Sequence, residues 1–122
     1  MRPYDLRILN GFCFALNTEV FRAIGFFDWA NFPKGYGEEV DFFLRLHRFG
    51  LRAQVVPSAF VYHIKTASFS SVEKTDQKRL ANAYLTEQYS TDLRSFSAEA
   101  RETPIQPLRT ALGDLYNKYT TT

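Results

Sequence analysis

Three carboxylates crowd one short segment, Gly35-Tyr36-Gly37-Glu38-Glu39-Val40-Asp41, directly after two glycines. Acids placed there meet the positive end of a helix dipole, which stabilises them whether or not they do chemistry. Residues 38 and 39 project about 100° apart on a helix, so one can face a cleft while the other faces solvent or caps the helix. Asp41 and Arg45 stand four apart, a spacing at which an exposed pair contributes about 0.3–0.5 kcal/mol along the helix surface. The second chemically able residue is His63, which closes an extended apolar run just before Ser68-Phe69. An imidazole at a strand end suits a metal, a phosphate or a proton; the competing reading is a buried ring satisfied by backbone groups. His47 lies mid-helix beside Arg48 and reads as structural.

Several chemistries find no support. There is no phosphate-binding glycine fingerprint, no zinc-type Cys and His spacing and no nucleophile elbow. The triplet Glu39-Val40-Asp41 is not preceded by a strand, so it does not read as a metal-holding strand end. Cys13 is the sole cysteine and cannot form an internal disulfide; within an apolar strand it is expected to be inert.

The elements that must position these residues are readable in outline. Residues 7–16 are mostly apolar and aromatic, which predicts a largely buried strand, with Gly11 allowing another group to approach closely. Asn17-Thr18 offers capping oxygens to a short helix over residues 19–24, and Gly25 stands where a left-handed C-cap belongs. Residues 26–37 read as a loop pinned by aromatic packing. From Glu38 the acids come first, bases last and Gly50 beyond, the order a helix dipole favours. Residues 51–64 read as extended, broken into two strands by Pro57. Ser70 and Glu73 have capping-box spacing before a helix from about Val72. Its apolar stripe, Leu80, Ala81, Tyr84, Leu85, Tyr89, Leu93 and Phe96, should pack back on the domain. Pro107 opens a last helix carrying Leu108, Leu112, Leu115 and Tyr119.

At 122 residues, 45% of them hydrophobic, the chain makes one compact domain and is too short for two. Residues 1–70 carry the candidate site, and residues 71–122 form a helical extension expected to pack on the same domain. The net charge of +2 gives no basic stripe, so nucleic acid is not implied. No apolar run approaches the ~18 residues of a membrane span. The start, Met1-Arg2-Pro3-Tyr4-Asp5, lacks a signal-peptide layout, and with a single cysteine the expectation is a cytoplasmic α/β domain.

Gly35-Tyr36-Gly37-Glu38-Glu39-Val40-Asp41, followed by Arg45, Gly50, Pro57, His63 and Ser68-Phe69, resembles the second half of family 2 glycosyltransferases. Upstream, Asn10-Gly11-Phe12-Cys13 and Ala23-Ile24-Gly25-Phe26-Phe27-Asp28 fall in the family's order, so the resemblance spans residues 8–69. It implies a partial GT-A fold, a mixed sheet with flanking helices. It also implies inverting transfer of a sugar from a nucleotide-sugar donor to a hydroxyl of a glycan or other acceptor. By position Glu39 would be the base that takes the acceptor's proton, where the family usually has aspartate; the longer side chain alters reach and angle. Glu38, with Gly11, Tyr36, Gly37 and Asp41, would contact the acceptor or orient the helix start. His63 matches the histidine that helps hold a divalent cation, Mn2+ or Mg2+, on the donor diphosphate. The family's nucleotide-binding half, built from βαβ units, has no counterpart before Met1. The chain then reads as an acceptor-side half, inactive alone, whose uncovered face drives self-association or pairing with that half. The family's work in polysaccharide assembly implies peripheral placement beside a membrane. The alternative is a non-catalytic module of the same ancestry that binds a sugar or a protein through its acids and its aromatic loop.

Overall fold

The computed structural model describes residues 2–63, 71–90, 99 and 105–120. Helix α1 spans Thr18–Ile24, where the Asn17 side chain accepts from the Glu19 N–H and Gly25, at φ 81°, ends the helix by donating to the Phe21 carbonyl. Helix α2 spans Glu38–Arg48. It stops in a Schellman arrangement, with Gly50 at φ 73°, Gly50 N–H donating to the His47 carbonyl at 2.9 Å and Leu51 N–H to the Leu46 carbonyl at 3.2 Å. Both helices lie where the capping residues place them.

The strands differ from expectation. Strand β1 is Tyr4–Leu6 and β2 is Ala53–Val55, paired antiparallel with Tyr4 opposite Val55 and Leu6 opposite Ala53. Residues 7–16 do not form the expected strand. Asn10 Oδ1 accepts from the Phe12 N–H at 2.9 Å, a local bond that turns the backbone out of any ladder. Beyond β2, Ala59 N–H closes a turn on the Val56 carbonyl across Pro57, and Phe60-Val61-Tyr62 joins no sheet. The described residues therefore make a mixed α/β structure of four helices and a two-stranded antiparallel sheet, not the mixed sheet of a GT-A half.

Helix α2 divides the core into two clusters. On one side Phe42, Phe43 and Leu46 are buried with Ile24 and Ala53, and the irregular segment still contributes Ile8, Leu9, Phe14 and Leu16. Phe42 is fully enclosed, with the rings of Phe27, Phe21 and Phe43 centred 5.4–5.6 Å away. On the other side Phe32, Ala81 and Leu85 are buried, packed by Tyr36, Val40, Leu44, Tyr84 and Tyr89. Helix α3, Ser71–Tyr89, thus presents the 81, 84, 85 and 89 part of its stripe inward. Leu80 is instead exposed, and Leu93, Phe96 and Ser70 lie outside the described residues. Helix α4, Gln106–Thr120, begins one residue before Pro107. It meets the 60–63 segment where Tyr116 stacks on Tyr62 at 3.8 Å and the Tyr62 hydroxyl donates to Asn117 Oδ1 at 3.1 Å. Leu108, Leu115 and Tyr119 remain exposed.

Candidate functional site

The acidic turn is built by its glycines. Gly37 holds φ at 92°, which turns the aromatic loop into α2, and its carbonyl accepts the first helical bond from Asp41 N–H at 3.0 Å. A methyl group at Gly37 would stand 2.9 Å from Ala81 Cβ and 3.0 Å from the Phe32 ring, so only glycine fits between α3 and the loop. Gly37 is therefore a packing and turn residue, which the acceptor-contact expectation did not anticipate. Tyr36 likewise packs on the Phe32 cluster.

Glu38 and Glu39 occupy the first turn of α2, both partly buried. Burial raises the proton affinity of Glu39, and the negative charge of Glu38 raises it further. Glu38 Oε2 is enclosed without a hydrogen-bond partner. A proton on the Glu39 carboxyl would give Glu38 a donor, the same contact that favours the protonated form of Glu39.

The turn at Asn10 brings the rest of the site together. A methyl group on Gly11 would meet Glu39 Cβ at 3.2 Å and its carboxyl carbon at 3.7 Å, so the close approach expected at Gly11 is made by Glu39 itself. The next residue, Phe12, stacks on His63 with ring centres 3.9 Å apart and planes 13° from parallel. One three-residue turn thus joins Glu39 to His63. His63 is exposed, not a buried ring held by backbone. Neither Asn10 nor Phe12 is among the site residues the sequence predicts, although Asn-Gly is a turn signal in its own right.

Asp41 stands apart from this group. It is buried, accepts from Arg45 Nε at 2.9 Å and from the Tyr89 hydroxyl, and so has neither the exposed setting of a weak surface pair nor an oxygen turned to an acceptor. Arg45 also donates to the Ile24 and Phe26 carbonyls, both at 2.5 Å, tying the end of α1 to α2. Burial, with the bond to Asp41, holds the Tyr89 phenol well above its ordinary range. A cleft of about 340 Å³ opens beside this network, lined by Phe26, Asp28, Arg48, Tyr84 and Gln88 among others. Its charged groups are already engaged: Arg48 donates to the Gln88 carbonyl and lies over the Tyr89 ring, and Asp28, bonded by Asn31, is held below the usual carboxylate range.

Cys13 is exposed rather than inside an apolar strand, a consequence of the same missing strand. Among the described residues no three His, Cys, Asp or Glu side chains gather as a metal site, so His63 and its neighbours do not by themselves fit the implied cation. No described helix is long and apolar enough to cross a membrane. In comparisons with known proteins, no family model matches the chain, and no curated protein or solved structure matches it either.

Proposed function

We propose that this chain is the acceptor-side half of an inverting glycosyltransferase of the family 2 type, with Glu39 as general base. The acceptor oxygen attacks the anomeric carbon of a nucleotide-sugar, the bond to the diphosphate breaks, and the acceptor's proton passes to Glu39. The observation that supports this most is the setting of the Glu39 carboxyl: at the opening of α2, against Gly11, with a proton affinity raised by burial and by Glu38. A carboxylate whose proton affinity is moved toward the working pH is a better base than an exposed one. Once Glu39 holds the proton, its carboxyl donates a hydrogen bond to Glu38.

On this reading the donor nucleotide is bound by a separate half, and the protein works in the cytoplasm at a membrane surface. His63 would offer one ligand to a Mn2+ or Mg2+ ion on the donor diphosphate, and the described residues do not complete that site. The test is sugar transfer by the chain complemented with a nucleotide-binding half, comparing Glu39→Gln with the parent. Loss of the base lowers kcat by about 10²–10⁴ and leaves acceptor KM within about twofold. Unchanged kcat removes Glu39 from the mechanism. A second reading, a sugar- or protein-binding module without catalysis, draws support from Phe26 and Trp29, 52% and 55% exposed on the aromatic loop. It predicts binding that Glu39→Gln does not alter and no transfer under any complementation.

A further inference from the structure

We infer that Asn10 is a site of self-modification: the Gly11 nitrogen attacks its side-chain amide, ammonia leaves, and the residue ages to aspartate and isoaspartate, the latter moving the turn off Glu39. The chemistry belongs to the turn and stands whether or not Glu39 is a base. Asparagine is a thermolabile residue in general. Three features single out Asn10 among the five asparagines of the chain. It is followed by Gly11, which has no Cβ to hinder an approach by its nitrogen. Among the described residues no hydrogen bond engages the Gly11 N–H, and both residues are exposed to water. Finally, Asn10 Oδ1 accepts from Phe12 N–H at 2.9 Å, which folds the side-chain carbonyl back along the stretch of backbone that holds the Gly11 nitrogen.

As the Gly11 nitrogen bonds to Asn10 Cγ, negative charge gathers on Oδ1, the atom to which Phe12 N–H already donates. The Cγ–Nδ2 bond then breaks, and Nδ2 leaves as ammonia with the proton given up by the Gly11 nitrogen. A cyclic imide remains, and water opens it at either carbonyl. Opening at Cγ gives aspartate. Opening at the backbone carbonyl gives isoaspartate, whose main chain runs through Cβ and Cγ and is one carbon longer. Gly11 lies so close to Glu39 that a methyl position on it is 3.2 Å from Glu39 Cβ, and a chain lengthened immediately before it shifts Gly11 off that side chain. Asn17 provides an internal comparison. It is exposed, and its Oδ1 accepts from Glu19 N–H at 3.0 Å, the same bond two residues ahead, but the residue that follows it is the β-branched Thr18 at the start of α1.

Incubation of the full chain at neutral pH and physiological temperature tests this, followed by peptide mapping with electron-transfer fragmentation and an assay for released ammonia. Conversion at Asn10 should run about tenfold faster than at Asn17, whose follower carries a branched side chain. Isoaspartate should be among the products, since it forms only by opening of the imide. The same chain unfolded in urea separates the turn from the bare Asn-Gly sequence, and the folded chain should convert at least as fast. In the isoaspartate form, isolated by ion exchange, nuclear Overhauser contacts between Gly11 Hα and the Glu39 side chain should be lost. Asn10→Asp, which keeps an acceptor for Phe12 N–H, should retain them. Equal lifetimes of Asn10 and Asn17, conversion without isoaspartate, or slower conversion folded than in urea overturns the assignment of the site. An isoaspartate form that keeps the contact between Gly11 and Glu39 overturns its effect on the turn.

Discussion

Replacing Gly37 with alanine separates what the glycine does for the fold from what the acids after it do for chemistry. Two costs are fixed by the geometry. At φ 92° an L-residue pays about 1–2 kcal/mol for the left-handed region. The added methyl also stands 2.9 Å from Ala81 Cβ and 3.0 Å from the Phe32 ring, and forcing such overlap into a packed cluster costs about 1–3 kcal/mol. Together Gly37→Ala should lose about 2–5 kcal/mol, a large share of the roughly 5–15 kcal/mol that holds a small domain together. Ala81→Gly removes the nearer obstacle at about 1 kcal/mol of helix propensity, leaving Phe32 in place. The double variant should then be more stable than the sum of the two single losses by about 1 kcal/mol. Urea unfolding followed by fluorescence of Trp29, the chain's one tryptophan, measures all three, with an unchanged slope confirming that the denatured state is the same. A loss under about 1 kcal/mol for Gly37→Ala would show that the turn relaxes and refute the reasoning from φ. Strict additivity would refute the contact with Ala81.

Removing the carboxylate of Asp41 should be nearly as damaging for a different reason. Asp41→Ala leaves the partly buried Arg45 without its ion pair and the Tyr89 hydroxyl without its acceptor, a loss of about 3 kcal/mol in the same urea assay. The low end of the range applies because Arg45 keeps its bonds to the Ile24 and Phe26 carbonyls; a variant as stable as the parent contradicts the network. Glu39→Gln should instead stabilise, in a pH-dependent way. Glu39 holds its proton more tightly when folded than when unfolded, so its contribution is full below the ordinary glutamate range and is lost as pH rises through the folded value. The melting temperature of Glu39→Gln relative to the parent should therefore climb as pH rises above the ordinary glutamate range, and a constant gap would show that burial does not perturb the group.

How far the fold could be read from sequence depended on where the deciding contacts lie. Helices α1 and α2 were legible to the residue or nearly so because their stop and start signals are local: Asn17 caps, Gly25 and Gly50 terminate, and the acids of α2 precede its bases. The partners of Asp41 were legible only by half. Arg45 lies one helical turn away, but Tyr89 lies 48 residues along the chain, and no periodicity announces such a contact. Of the apolar run 7–16 only Ile8, Leu9, Phe14 and Leu16 pack, partly buried, against the core, while Phe12, Cys13 and Ala15 are exposed, so the segment is neither the strand nor the largely buried element its composition predicts.

The absence of a strand at residues 7–16 and the candidate site have a single cause. A strand through residues 7–16 would carry neighbouring side chains to opposite faces of a sheet, so Gly11 and Phe12 could not act together on one cleft. The Asn10 side chain bonds back to Phe12 N–H in preference to a neighbouring strand, and the resulting turn sets Gly11 against Glu39 and Phe12 against His63. The stability given up in unmade ladder bonds is recovered in part by the apolar side chains on either side of the turn, which still reach the core. Departure from the regular element is thus what sets one residue of the turn, Gly11, against a carboxylate at the opening of α2 and the next, Phe12, against an imidazole 51 positions along the sequence.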